Sequence, residues 1–451
     1  MNHALWLEGW LVTATTETKA ARIATAVYAP LPSVCPKCGS VDRLYRHGAK
    51  SIDYVDTPSA GKQLIIRAQV KRFRCRDCLE TSMQPLPDMD TRRRMTKRCV
   101  DHVASQGVPR TYADLARAIG VDEKTVRNIC NERFERAMAE RRITAPVILG
   151  IDELTLLGRK RTIFVDIGGK KIIDVMDAMN RGRVERWLVR LPNRENVRAV
   201  AIDMWGPYKA AVKSTMPDVK IIVDAWHVLS KLNMALDRVR NRSRRAAGIR
   251  KNPQKGRRLL QTSRHKLSPM RRMLVDGIVA NDPLIDAAWN AKEVFYDIWS
   301  VRPRSEAERL FDRWAASIPD SIEEEFRPIA KMVENWREEI FGFFDYPITN
   351  AYTEARNGLV KKLNRAGNGY SFETIRAKAL LAESYGPTER CLGCKGEFPA
   401  ASMKHRDIPA AVLQSGVFPV TFCGSCDFIF HTECQEKTQE AIKWLSTQLS
   451  G

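Results

Sequence analysis

The stretch Pro146-Val-Ile-Leu-Gly-Ile-Asp-Glu153, taken with Val200-Ala-Ile-Asp-Met-Trp-Gly-Pro-Tyr208 and Val219-Lys-Ile-Ile-Val-Asp224, decides the fold. Each contains a short apolar, β-branched run that stops at an aspartate, the pattern of a buried strand. Between the first and second, residues 161–165 form another such run ending at Asp166, and residues 171–175 follow the Gly168-Gly169 turn. Three strands therefore succeed one another through short connections. Residues 185–190 predict a helix before the fourth strand, and residues 210–215 another before the fifth. The order is β-β-β-α-β-α-β: a meander of three antiparallel strands, then two parallel strands reached through helical crossovers.

That order predicts a multidomain α/β chain with an RNase H-like catalytic domain beginning at 146–232. If its first and fourth strands pair centrally, Asp152 and Asp203 become neighbours at two strand ends. A single strand-end aspartate is commonly a turn cap. Two at matched positions call for a divalent cation between them. Asp224 ends the next strand outward and competes with Asp203 for the second position; Asp203 is preferred, with Asp224 and His227 in support. Asp166 and Asp174 bracket a hairpin turn and are expected to be structural.

A mainly helical insertion is expected over 233–348. Its segment 241–275 holds twelve Lys or Arg and no acid, suited to lying against phosphates. Segments 305–316 and 322–341 are amphipathic and carry Trp314, Phe326 and Trp336 as core residues. The catalytic domain should resume over 349–385. Asn350, Glu354, Asn357 and Lys361 recur at i, i+4, i+7 and i+11, which places them on one helix face. Glu354 is the third carboxylate, preferred to Glu373 because the aligned amide Asn357 and base Lys361 accompany it; Arg365 extends the face toward a DNA backbone. Three carboxylates predict a pair of Mg2+ or Mn2+ ions that activate water, and then a 3′-hydroxyl, for in-line attack on a phosphodiester.

Upstream, Cys35-Pro-Lys-Cys38 and Cys75-Arg-Asp-Cys78 flank short β segments within residues 1–90. Two such knuckles bring four thiolates to one tetrahedral Zn2+, a zinc ribbon whose closed coordination makes the metal structural. Over 91–145, Arg92, Arg93 and Arg94 form a basic joint, and Thr111 caps a helix that turns at Gly120 into a second helix from 123 onward. Leu115, Ala116 and Ile119 against Val121, Val126 and Ile129 give the packing of a helix-turn-helix. Lys124, Thr125, Arg127, Asn128 and Arg133 are left exposed to read double-stranded DNA, and Cys130 is expected to pack as a small buried hydrophobe. Residues 386–451 carry a second set, Cys391, Cys394, Cys423, Cys426, His431 and Cys434, expected to form a C-terminal Cys/His-rich zinc-binding tail. It allows a four-cysteine site from the first four, a site of three cysteines and one histidine from the last four, or two ions sharing all six together with His405.

The remaining composition agrees. The formal net charge of +21 on 451 residues implies an anionic partner. No apolar run approaches the length of a membrane span, and the N-terminus lacks a secretory pattern, so a cytoplasmic location with nucleoid association on DNA is expected. The paired knuckles, the helix-turn-helix, Ile151-Asp-Glu153, Val200 to Tyr208, Val223-Asp-Ala-Trp-His-Val228 and Asn350 to Asn357 resemble the ISL3 family of insertion-sequence transposases over about residues 30–385. Two departures stand out: Leu-Glu-Thr-Ser-Met-Gln follows Cys78, and the Cys/His-rich tail is not a general family feature. The resemblance implies recognition of transposon terminal inverted repeats by the N-terminal modules. It implies DNA cleavage and joining to target DNA by an RNase H-like DDE domain, with Asp152, Asp203 and Glu354 as the acids and Asp224 and His227 close by. Joining two ends implies a homodimer or larger assembly. An inactive or domesticated DNA-binding regulator would show a broken triad, a junction nuclease would not need the site-reading modules, and a nucleoid protein would leave the acids without purpose.

Overall fold

The computed structural model describes residues 7–248, 256–348 and 351–382, with the backbone of four short strands beyond them. Those strands, in chain order 388–390, 397–399, 404–408 and 418–422, pair as two antiparallel hairpins. Cys391, Cys394, Cys423, Cys426, His431 and Cys434 lie outside the described residues, as does Asn350. The chain forms two compact units, Met1–Arg141 with Lys362–Ala382, and Arg142–Lys361 with Glu383–Gly451.

The first unit opens with β1 (Trp10–Glu17), β2 (Ala21–Tyr28), β3 (Leu44–Ser59) and β4 (Lys62–Cys75). β2 pairs antiparallel with β1 and parallel with β4, while β3 and β4 form one long hairpin. Alternation along β4 buries Leu64, Ile66, Ala68 and Val70 on one face, the half-buried strand pattern. The short strands β5 (Thr81–Met83), β6 (Met89–Asp90) and β7 (Met95–Thr96) extend the sheet. Three helices follow: α1 (Lys97–Gln106), α2 (Tyr112–Ile119) and α3 (Glu123–Glu140). Buried Asp56 on β3 fastens the sheet to them, accepting from the Thr96 hydroxyl at 2.6 Å and from the Arg98 guanidinium. Burial works to raise its carboxyl, but those bonds hold it below the ordinary aspartate range. Thr111 caps α2, Gly120 turns the chain at φ 83°, and Asp122 caps α3. Cys130 is fully buried, as expected, its thiol against the Val103 carbonyl.

The second unit contains the five-stranded sheet: β8 (Ile148–Leu156), β9 (Arg159–Asp166), β10 (Lys171–Met176), then α4 (Arg181–Arg190), β11 (Ala199–Ile202), α5 (Gly206–Thr215) and β12 (Lys220–Val223). Strand order is β10-β9-β8-β11-β12, with β8 to β10 antiparallel and β8, β11 and β12 parallel. This is the expected meander followed by two parallel strands. One boundary differs. Residues 146–151 predict a strand ending at Asp152, whereas β8 runs on to Leu156, because Glu153 to Leu156 keep pairing with β9 after β11 has stopped. Asp166 and Asp174 are structural: one accepts from the Gly169 amide at 2.7 Å, the other from the Val175 amide at 2.8 Å and the Trp187 indole at 2.9 Å.

α6 (Ala225–Ala246) leaves β12 directly and starts the helical insertion, which continues through α7 (Arg257–Gln261), α8 (Pro269–Ala280), α9 (Pro283–Asp297), α10 (Arg304–Ala316), α11 (Glu323–Asn335) and α12 (Arg337–Asp345). One apolar cluster runs from Leu149 and Val223 of the sheet to Trp289, Trp314, Phe326 and Phe344 of the insertion, so the sheet and the helices share a core. Trp314 and Phe326 are core residues as read, and Trp336 is half-buried against it. α13 (Ala351–Ala366) and α14 (Phe372–Leu381) complete the described helices, and the unit boundary falls inside α13. α14 belongs to the same compact unit as the helix-turn-helix. The Tyr370 hydroxyl accepts from the Tyr112 amide, and buried Lys378 donates to the Arg110 carbonyl at 2.7 Å with its ammonium against both tyrosine rings.

Gly150 lets α13 reach the central strand. A Cβ there would lie 2.5 Å from the buried Thr353 hydroxyl and 3.1 Å from Ile167, contacts no ordinary side chain tolerates. Gly150→Ala is therefore expected to destabilise the protein by about 1–3 kcal/mol. The Thr353 hydroxyl has no hydrogen-bond partner among the described residues, so adding Thr353→Ala should recover a good part of the loss. Urea denaturation of the two single variants and the pair measures this; strictly additive losses would contradict the close approach.

Candidate functional site

The parallel register of β8 and β11 sets Ile151 beside Ile202, so Asp152 and Asp203 are the next residue on each strand line. Asp224 follows β12, which pairs with β11 and not with β8, and so stands one strand farther from Asp152. Its carboxylate caps α6, accepting from the Trp226 amide at 2.7 Å. From α13, Asn357 donates to the Asp152 carboxylate at 2.8 Å and to the Glu153 carbonyl at 3.3 Å. Glu354, one turn earlier, is near enough for its charge to act on Asp152. Behind the acid, the Tyr208 hydroxyl donates to the Asp152 carbonyl and lies 3.0 Å from the Thr162 hydroxyl. The structure thus brings Asp152, Asp203, Glu354 and Asn357 to one end of the sheet. Lys361 is exposed farther along α13, and exposed Arg365 belongs to the first unit.

Electrostatics at this end are adverse to anions. Burial, with the charges of Asp203 and Glu354, pushes the Asp152 carboxyl up to about 7 against the bonds from the Glu153 amide and Asn357. Burial also raises Asp203, offset by the nearby His227 and increased by Glu153. Among the described residues, buried Asp203 Oδ1, His227 Nε2 and Asn357 Oδ1 have no hydrogen-bond partner. Oxygen-rich, mutually repelling and incompletely satisfied, this donor set fits hard divalent cations such as Mg2+ or Mn2+. Glu153 and Tyr208 stand inside the quoted motifs but had no role assigned from sequence; side chains flanking a strand-end acid were the available signal.

The cysteines form a tighter group. Cys35, Cys38, Cys75 and Cys78 are the described residues' only set of three or more His, Cys, Asp or Glu whose ligand atoms all lie within 4.8 Å of one another. Cys35 Sγ is 3.7 Å from Cys78 Sγ, and Cys38 Sγ is 3.7 Å from Cys75 Sγ. Thiolates at Zn–S distances of about 2.3 Å span a tetrahedron edge of roughly 3.8 Å. That spacing is far too long for a disulfide. Hydrogen bonds from Ser40 bring Cys38 down to about 6. A backbone bond from Glu80 works to lower Cys78, yet desolvation and the three neighbouring thiols push it up to about 12. Four thiolates cannot accumulate here without a cation, so an N-terminal four-cysteine centre capable of holding zinc is present.

On the helix-turn-helix, Lys124, Arg127, Asn128 and Arg133 of α3 are exposed. Thr125 is half-buried and donates to its cap Asp122 at 2.7 Å, and Arg127 pairs with Glu123 at 2.9 Å. Arg92 and Arg94 are exposed. Arg93 differs from the sequence expectation: it pairs with Asp90 at 2.6 Å and Glu132 at 2.5 Å, fixing the basic joint to α3 instead of facing outward.

Comparison with known proteins agrees with these features. The ISL3 family of DDE transposases matches residues 149–379, more than half of the chain. The zinc-finger of transposase IS204/IS1001/IS1096/IS1165 matches residues 31–78. The transposase for insertion sequence element IS1001 of Bordetella parapertussis is 22% identical over 347 residues, covering 75% of this chain and 85% of its own length. Among the described residues no helix is long and apolar enough to cross a membrane.

Two outcomes are expected. Cys75→Ser should lower bound zinc by about one ion per chain, measured by elemental analysis, and lower the melting temperature of the N-terminal unit. In chelator-treated protein, the raised Asp152 carboxyl binds a proton in the folded state that the unfolded chain has released. It therefore costs nothing below the ordinary aspartate pKa and lowers stability progressively as pH rises toward about 7. Asp152→Asn should stabilise the metal-free protein at about pH 8 by on the order of 4 kcal/mol at most, with the difference closing near about pH 4. Thermal melts across that range check it, and a gain that grows on acidification would contradict the sign.

Proposed function

The chain belongs to the ISL3 family of transposases, and from that premise we propose that it binds the terminal inverted repeats of an insertion sequence and cleaves and joins DNA there. The reading rests on one observation above the rest: Asp152 is buried at the end of the parallel β8–β11 pairing, within the fields of Asp203 and Glu354 and hydrogen-bonded by Asn357. Such crowding costs stability and has a use when cations are to be held.

Asp152, Asp203 and Glu354 would hold two divalent ions, Mg2+ or Mn2+. When bound, the ions supply an activated water or 3′-hydroxyl and neutralise charge developing at the phosphate. The chain's own residues orient the site. Asn357 fixes the Asp152 carboxylate, Tyr208 holds the strand behind it, and Asp224 sets the start of α6 so that His227 faces Asp203. Lys361 and Arg365 offer positive charge to the DNA backbone. Lys124, Arg127, Asn128 and Arg133 of α3 read the terminal repeat in the major groove, with Arg92 and Arg94 on phosphates. Because two ends are joined to one target, the acting form is a homodimer or larger assembly.

Purified protein is incubated with labelled terminal repeats of its own element in Mg2+ or Mn2+, alongside Asp203→Asn. Metal-dependent formation of 3′-hydroxyl ends and their joining to target DNA are expected, abolished in the variant while end binding persists. Specific end binding with no cleavage under either ion would instead favour a DNA-binding regulator. Cleavage unchanged in the variant would move the second ligand to Asp224.

A further inference from the structure

The arginines of the helical insertion differ between its segments. On α10 to α12 the arginines are neutralised: Arg304 pairs with Glu308, Glu338 and Asp345, Arg309 and Arg313 with Glu306, Arg337 with Asp312 and Glu334, and Arg327 with Glu323. Before α8 and on its first turn they are not. Arg264, Lys266, Arg271 and Arg272 are exposed, and no ion pair engages them among the described residues.

The same segment exposes apolar surface. Met270, Met273 and Leu274 are 75%, 74% and 54% exposed, and a Cβ built on Gly277 would meet nothing within 4 Å. Their spacing of i, i+3, i+4 and i+7 is that of a stripe which ordinarily faces a core. On α8 the core takes Val275 instead. Met270, Met273 and Leu274, interleaved with arginines, are thus exposed, and among the described residues no ion pair engages those arginines.

The segment is nevertheless held firmly from below. Lys292 of α9 is fully buried and donates to the Leu260 carbonyl at 2.9 Å and the Thr262 carbonyl at 3.0 Å, with the Trp289 ring 3.6 Å from its ammonium. Glu293 beside it pairs with Lys292 and accepts from the Arg264 amide at 3.0 Å. A buried cation, its carboxylate and an aromatic face anchor the turn that presents the stripe.

We propose that the exposed face of α8 and the turn before it are a DNA-contact surface separate from the helix-turn-helix, taking DNA whose base pairs have been opened. Charge complementarity selects the occupant. Phosphates answer Arg264, Lys266, Arg271 and Arg272. An intact duplex offers Met270, Met273 and Leu274 little, because its outer surface is sugar and phosphate. Unstacked bases offer flat apolar faces, which inserted or stacked side chains use. The inference relies on the proposed function only in that the protein binds DNA.

The test measures binding of the full chain by fluorescence anisotropy to a duplex of about 30 base pairs and to the same duplex with a central bubble of unpaired bases, from about 50 to 200 mM salt. Replacing Arg264, Lys266, Arg271 and Arg272 together by Gln should flatten the dependence of log affinity on log salt for bubbled DNA by about 3–4. Replacing Met270, Met273 and Leu274 together by Ser should reduce the preference for the bubbled duplex by about tenfold and leave intact-duplex affinity unchanged. All seven side chains are exposed, and unchanged melting temperatures of both variants confirm that folding is intact. An unaltered salt slope in the first variant, or an unaltered bubble preference in the second, overturns the proposal. So does a change of molecular mass by light scattering in the Ser variant, which would make the face a contact between copies. Wild-type protein that binds neither DNA overturns this and the proposed function together, whereas wild-type binding with both variants unaffected overturns this one alone.

Discussion

Gathering like charges at one end of a sheet is the constraint on which the second unit is built. Carboxylates repel one another, and each loses hydration when buried, so nothing in folding itself favours their meeting. They meet because stronger, charge-indifferent terms have fixed the backbone first. The parallel register of β8 and β11 is set by a core running from Leu149 through Val200 and Ile202 into the insertion. The absence of a side chain at Gly150 admits α13 with buried Thr353 and Val360, and so delivers Glu354 and Asn357 to the same place. Apolar burial of this extent, at roughly 25 cal/mol per Å2, readily exceeds the few kcal/mol opposing it.

The insertion belongs to that same solution. Its helices share the core of the sheet, and Gly342 of α12 packs against Ile221 and Ile222 of β12. A lengthy insertion with a core of its own would leave the sheet thin. A shared core makes the rigidity of the site depend on residues a hundred positions distant in sequence, such as Trp289 and Phe326.

Much of this was legible in the sequence, for reasons that can be named. Buried strands announce themselves as apolar β-branched runs, and a helix start as a cap such as Thr111 before a periodic segment, so the β-β-β-α-β-α-β order and the helix-turn-helix followed directly. The family membership was legible because its motifs are spaced along most of the described chain. Pairing was harder. Sequence cannot reveal that β8 continues past Asp152, because Glu153 to Leu156 keep an alternation that suits either a strand end or a hairpin. Arg93 was misread because its partners Asp90 and Glu132 lie on different elements, and composition alone counts it as a free charge. Likewise nothing in the sequence marks Tyr370, just before α14, or Lys378 within it as packing with Tyr112; only the fold brings residues 112 and 370 together.

The four cysteines and the acids at the sheet end differ in how tightly they converge. Four sulfurs within 4.8 Å of one another close around a single ion and leave no position for another ligand. Such a soft, charged set is suited to hold zinc, a metal that can replace a hydrophobic core in a small ribbon. The acids at the sheet end offer hard oxygen donors that do not converge so tightly, and the proposed pair of ions, about 3.5–4 Å apart, would call for that wider spread. Their orphaned atoms, Asp203 Oδ1 among them, leave coordination to be completed from outside the chain. Under the proposed function, a site that admits a phosphodiester and releases it would not be closed by its own side chains, whereas four cysteines around one ion leave no open position.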